Sequence, residues 1–161
     1  MGLDMYLSLG NGEDAKAVGY WRKANAIHAY FVNNIQNGYD DQASYIVSKE
    51  DFESLFEILN DILIKAQSVG IQMISDDCES MKFNDMILQN CSHNWHENHN
   101  NYEDLIKYCE ENLPTQSGFF FGSTEYDVYY FRSIFYTHDL IKNILNDWEN
   151  REDDYYYSCW W

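Results

Sequence analysis

The sequence predicts one α+β domain over residues 1–161, with a mostly antiparallel sheet that includes both chain ends and about four helices packed on it. Three observations predict it. Apolar residues alternate at the N-terminus. The C-terminal run Asp153–Trp161 is too aromatic for a solvated tail. Between them, helical periods and short strand-like runs follow one another without the regular alternation of a parallel α/β fold.

Leu3, Met5 and Leu7 alternate with Asp4, Tyr6 and Ser8, so residues 2–9 read as a strand, and Gly10-Asn11-Gly12 reads as the turn after it. Tyr20, Ala24, Ile27, Phe31 and Ile35 fall at helical spacing, which predicts an amphipathic helix over 20–35 ended by Asn37-Gly38. Residues 43–47 read as a short strand. Ser48 then begins a helix with Asp51 completing a capping box, and its inward face is Phe52, Leu55, Phe56, Leu59, Leu63 and Ala66. Residues 68–101 are irregular, with a short helix at Met81–Leu88 and a loop over Gln89–Asn101. Asn101 is a candidate cap for a helix that turns Tyr102, Leu105, Ile106 and Cys109 inward and stops before Pro114. Ser117–Phe121 reads as a strand broken at Gly122. Thr137 or Asp139 opens a last helix with Leu140, Ile141, Ile144, Leu145 and Trp148 inward, and the terminal aromatic run closes the sheet.

Composition narrows the function classes. At 161 residues the chain can bury roughly 70% of its unfolded surface and needs no staple of disulfide or metal. Cys78, Cys91, Cys109 and Cys159 form no Cys-x-x-Cys pair and are expected to be reduced thiols. No apolar run approaches the length of a membrane span, and no signal peptide is visible, so a cytoplasmic protein is expected. Ten cations face 27 acids, giving a net charge of −17. That field repels nucleic acid and anionic membranes and attracts basic surfaces, although it also serves solubility. Asp76, Asp77, Glu79, Glu110, Glu111, Asp153 and Asp154 are the expected acidic surface.

Two strings crowd aromatics against varied polar groups: Gly19–His28 and Leu113–Asp127. Together with Met-Gly-Leu-Asp-Met-Tyr-Leu at the start and Tyr-Tyr-Tyr-Ser-Cys-Trp near the end, they resemble a family of small phage and prophage proteins over residues 1–7, 19–65 and 113–160. The stretch 68–112 is longer than the family pattern and reads as a variable insertion. The resemblance implies a context and no activity: an accessory gene of a phage acting in the cytoplasm of the infected bacterial host, where inhibitors of host defence are frequent.

The candidate binding residues are Trp21, Arg22, Lys23, Asn25 and His28, expected on one helix, and Gln116, Ser117, Ser123, Thr124, Tyr126 and Asp127. On a helix, Trp21, Asn25 and His28 would share a face, with Arg22 and Lys23 in the first turn, where cations oppose the dipole and suit an anionic ligand. The structural alternatives are an Arg22 that pairs with Asp4 or Asp127, and a Phe119–Phe121 strand buried on both faces. Cys91, His93, His96 and His99 could gather on zinc, or could belong to an Asn-rich surface loop. No nucleophile elbow or His-Glu-x-x-His is present, so no enzyme and no cofactor are expected.

The leading expectation is therefore a non-enzymatic, anti-CRISPR-like inhibitor. It would bind a basic, nucleic-acid-handling host protein (a nuclease or CRISPR effector) through an acidic, aromatic-rich surface, with no direct contact to nucleic acid or membrane. The chain is compatible with a homo-oligomer. The alternative is a small-ligand binder or nucleotide-signal sponge built from the Trp21–His28 stretch and the Gln116–Thr124 loop.

Overall fold

The computed structural model describes residues 2–73, 88–89 and 99–161. Its elements are β1 (Asp4–Leu9), β2 (Lys16–Arg22), α1 (Asn25–Asn34), β3 (Tyr45–Val47), α2 (Lys49–Ser68), β4 (Gln72–Met73), β5 (Leu88–Gln89), α3 (His99–Asn112), α4 (Val128–Asn146), a 3₁₀ turn (Trp148–Asn150) and β6 (Tyr155–Trp160). The main sheet is antiparallel throughout, in the order β2-β1-β6-β3, and β4 pairs with β5 in a separate ribbon. The α+β class and the placement of both chain ends in one sheet are as the sequence predicts.

Strand alternation divides the sheet into two faces. Leu3, Met5, Leu7, Trp21, Val47, Tyr155, Tyr157 and Cys159 are buried. Phe31 of α1 stacks on Tyr157 with ring centroids 4.1 Å apart, and Phe52 of α2 meets Tyr155 edge-on at 5.5 Å. Trp21 donates its indole N–H to Thr137 Oγ1 of α4 at 2.8 Å. A Cβ at Gly19 would lie 2.6 Å from Leu140 Cδ2, so a larger residue there would displace the Leu140 side chain of α4. α3 packs outside α2, where Tyr108 donates to Asp61 at 2.9 Å.

The capping box of α2 forms, with Ser48 Oγ accepting from Asp51 N and Asp51 accepting from Ser48 N. Phe52, Leu55, Leu59 and Ala66 are buried as predicted, together with Ile62.

Other expectations are corrected. Residues 20–35 are not one helix: Tyr20, Trp21 and Arg22 belong to β2, where the period is two and Trp21 points inward while its neighbours are exposed. Lys23 at φ 57° breaks the strand, and α1 begins at Asn25. The last helix begins neither at Thr137 nor at Asp139 but at Val128, capped by the Asp127 carboxylate, which accepts from Tyr129 N and Tyr130 N. Thr137 sits mid-helix, and its hydroxyl is satisfied by bonding back to Ser133 O at 2.6 Å. α3 starts at His99, ahead of Asn101. Ser117–Phe121 is not a strand; Phe119 is 93% exposed, Phe120 half-buried and Phe121 buried. Leu88 and Gln89 are strand residues, while the rest of the expected Met81–Leu88 helix lies outside the described residues, as does most of the expected 89–101 loop.

β6 pairs with β1 on one side and β3 on the other, and it carries two buried aromatics. Truncating a buried aromatic costs about 3–5 kcal/mol, against a total stability of about 5–15 kcal/mol. Deletion of residues 155–161 is expected to abolish the cooperative thermal transition followed by circular dichroism. A retained transition would show that β6 is dispensable.

Candidate functional site

The two polar-aromatic strings come together in space, held by one side chain. Asn25 is 4% exposed at the start of α1. Its Nδ2 donates to Phe121 O at 3.0 Å and Ser123 O at 2.8 Å, and its Oδ1 accepts from Gln116 N at 3.0 Å. An amide suits this position because it offers two donors and an acceptor to a backbone that makes no sheet or helix ladder there. Two further bonds fasten the loop: Leu3 N donates to Phe120 O at 3.1 Å, and Thr115 Oγ1 donates to Thr124 O at 2.9 Å. At Gly122, φ is 86° and a Cβ would lie 3.1 Å from Lys23 Cβ, so glycine is required.

The pinned loop contributes to two cavities. The first, of about 310 Å³, is lined by Lys23, Asn25, Ser123, Glu125, Asp127 and Tyr129, among others. It adjoins the N-terminus of α1, whose cap residue Ala24 supplies no side-chain bond. The second, of about 420 Å³, is lined by Asp40, residues 116–121 and Trp161.

His28 is fully buried next to the second cavity's Asp40. Its Nε2 lies 3.1 Å from Asp40 Oδ2 and its Nδ1 lies 2.8 Å from the Tyr157 hydroxyl. The carboxylate only accepts, so Nε2 carries the proton and Nδ1 accepts from Tyr157. Burial lowers the His28 pKa from 6.5, and Asp40 opposes that shift only in part. Burial also pushes the Tyr157 hydroxyl well above its usual range. Cys159 Sγ lies 3.3 Å from Asp41 O and 4.0 Å from Asp40 Oδ1. Burial, followed by Asp40 and Asp41, pushes its thiol up to about 12. Trp161 donates its indole N–H to Asp40 Oδ1 at 3.0 Å.

The remaining candidates are placed as follows. Trp21 is fully buried and belongs to the core, so it shares no face with Asn25 and His28. Arg22 pairs with Asp4 at 3.3 Å rather than with Asp127, and its side chain is 49% exposed. A pair this open is worth less than about 1 kcal/mol, and neither Arg22 nor Lys23 lies in a helical turn. Gln116 and Ser117 line the second cavity. Thr124 accepts from Thr115, and Tyr126 meets Tyr130 edge-on at 4.8 Å. Asp127 is the cap of α4. Glu110, Glu111, Asp153 and Asp154 are exposed, whereas Asp76, Asp77 and Glu79 lie outside the described residues. Cys91, His93 and His96 also lie outside them, and His99 is described only as the first residue of α3. Asp40, Tyr157, Cys159 and Trp161 were not among the sequence candidates. Asp40 and Cys159 are separated by most of the chain, and no local motif links them.

The outer face of the sheet forms a second, broader feature. It carries Tyr6, Tyr20, Ile46, Tyr156 and Trp160, with Asp4, Ser8, Arg22 and Ser158 between them. Tyr6 is 43%, Ile46 55% and Trp160 64% exposed. Tyr6 stands opposite Tyr20 with centroids 5.4 Å apart, and Tyr20 donates its hydroxyl to Asp4. At one end of this face Gly10 N bonds to Asp154 O, joining the β1–β2 turn, where Glu13 and Asp14 are exposed, to the segment before β6, where Glu152, Asp153 and Asp154 are exposed and Asp154 pairs with Arg151.

No family model, no curated protein and no solved structure matches this chain. No helix among the described residues is long and apolar enough to cross a membrane.

Asn25→Ala is expected to cost about 2–4 kcal/mol, because it strands the Gln116 N–H and the Phe121 and Ser123 carbonyls, and to raise hydrogen exchange across residues 114–126. Unchanged exchange there would contradict the pinning role. His28 binds its proton less readily folded than unfolded, so its contribution is present above about pH 6.5 and is lost as pH falls through the lowered value. Melting temperature should therefore drop on acidification below about pH 6.5, and His28→Gln should flatten that drop. An equal slope in the variant would contradict this.

Proposed function

We propose that this chain is a non-enzymatic binding protein whose outer sheet face docks on a basic partner protein. The observation that carries the reading is the aromatic outer face of β1, β2, β3 and β6 with its acidic end. Exposed Tyr and Trp on a rigid sheet are the side chains that supply interface energy at low entropic cost. The net charge of −17 supplies long-range steering toward a cationic surface and repulsion from nucleic acid itself. A nuclease or CRISPR effector, whose groove is built for polyanions, has that chemistry. The resemblance to phage proteins supplies the setting, the infected host cell, and makes inhibition the outcome of docking.

A second reading is favoured by the first cavity. The uncapped start of α1, Lys23 and Ser123 suit a small anion such as a nucleotide phosphate. Glu125 and Asp127 line the same cavity and oppose an anion, which ranks this reading second.

The test is capture of a purified basic nuclease or CRISPR effector by immobilised chain. Tyr6→Ser with Trp160→Ser should weaken capture by at least ~30-fold, the effect of losing about 2 kcal/mol, while each change costs less than about 1 kcal/mol of stability. Raising salt should weaken capture further, because exposed charges are screened within ~8 Å at physiological ionic strength. Capture that survives both changes would overturn the reading. A melting temperature raised by micromolar nucleotide would favour the second one.

A further inference from the structure

We propose that His28, Asp40 and Cys159 form a binding site for a single transition-metal cation of the zinc type. The inference does not depend on the docking face. The three residues come from α1, the loop after it and β6, and their donor atoms all lie within 4.8 Å of one another. Nε2 and Oδ2 are 3.1 Å apart, and Sγ and Oδ1 are 4.0 Å apart. Zinc bonds of about 2.0–2.3 Å in a tetrahedron place neighbouring donors roughly 3.3–3.8 Å apart. The imidazole and the thiol lie against different oxygens of Asp40, so donors now within 4.8 Å of one another draw together by up to about 1 Å to close on an ion. Imidazole with thiolate selects zinc-like cations over magnesium or calcium.

The surroundings fit a ligand set. Tyr157 holds the second nitrogen of His28 at 2.8 Å, the outer contact that orients a metal-bound imidazole. Trp161 donates to the carboxylate at 3.0 Å and fixes its plane. The second cavity reaches Asp40, so a fourth position can be filled by water or by a small ligand with an oxygen or nitrogen donor. This three-ligand arrangement with one open position is that of zinc sites that bind exchangeable ligands.

The proton balance is simple. Without an ion, His28 Nε2–H donates to Asp40 and the Cys159 thiol faces Asp41 O. When the ion binds, the imidazole proton moves to Nδ1 and is donated to the Tyr157 oxygen. The Cys159 thiol loses its proton to solvent, and its sulfur pair forms the metal bond. One proton is released for each ion bound.

The experiment is titration of the reduced, metal-stripped full chain with Co²⁺, a spectroscopic substitute for zinc. One Co²⁺ per chain is expected, with a sulfur-to-cobalt charge-transfer band in the near ultraviolet. Cys159→Ser should remove the band, and Cys91→Ser should leave it unchanged. Tyr157→Phe keeps the aromatic stack on Phe31 and tests the site without relying on the Cys159 variant's folding; it should retain the band and weaken Co²⁺ binding at least ~10-fold. No charge-transfer band in the wild type would overturn the proposal. So would a band that is lost in Cys91→Ser and kept in Cys159→Ser, since the ion would then sit on the Cys91–His99 stretch. Co²⁺ affinity unaffected by Tyr157→Phe would also count against it.

Discussion

The register of β6 is the constraint on which the rest of the structure depends. The last strand of the chain lies between β1 and β3, with Met5 opposite Cys159, Leu7 opposite Tyr157 and Tyr45 opposite Tyr157. A slip of one residue would turn Tyr155, Tyr157 and Cys159 to solvent and drive Tyr156, Ser158 and Trp160 into the core. The native register is held by the stack of Tyr157 on Phe31, the edge contact of Tyr155 with Phe52 and the bond from Tyr157 to His28. Each ties the sheet to a helix above it, so strand register and helix packing enforce each other.

Both candidate functions follow from that register. On the inner side it puts the Tyr157 hydroxyl and the Cys159 thiol beside His28 and Asp40, giving a polar group enclosed by α1 and its following loop. On the outer side it completes the aromatic surface begun by Tyr6 and Tyr20 with Tyr156 and Trp160. Asn25, one turn before His28 in α1, has a parallel role. It converts a loop without regular structure into a fixed wall between two cavities through three backbone bonds. Rigid placement of this kind lowers the entropy lost on binding.

Much of the fold was legible in the sequence because its signals were local. Alternation marked β1, the Ser48–Asp51 box marked α2, and the aromatic density of the C-terminus required a place in the core. Errors arose where two periods overlap. Tyr20, Ala24, Ile27 and Phe31 fit a helix, yet Trp21 alternates with Tyr20 and Arg22 as a strand, and the left-handed Lys23 separates the two elements. The start of α4 was missed because Asp127 looked like a polar site residue rather than a cap. The Phe119–Phe121 run looked buried because of its hydrophobicity; in the structure Asn25 takes the loop's carbonyls, leaving Phe119 outside. The two strings meet in space, Asn25 on Gln116 and His28 edge-on to Phe121. The residues around His28 (Asp40, Tyr157 and Cys159) come from other parts of the chain, and only the fold brings them together.

The sheet centred on β6 is the claim most directly open to measurement, by residue-resolved hydrogen exchange under native conditions. Strand amides paired on both sides and closed into the core exchange only when the whole domain unfolds. The amides of Tyr155–Tyr157, which have β1 on one side and β3 on the other, should therefore share the slowest class with those of β1, at the free energy of global unfolding. Exchange of β6 by local fraying, well below that free energy while β1 stays protected, would contradict a central β6, and with it the aromatic face and the enclosed His28–Asp40–Cys159 group.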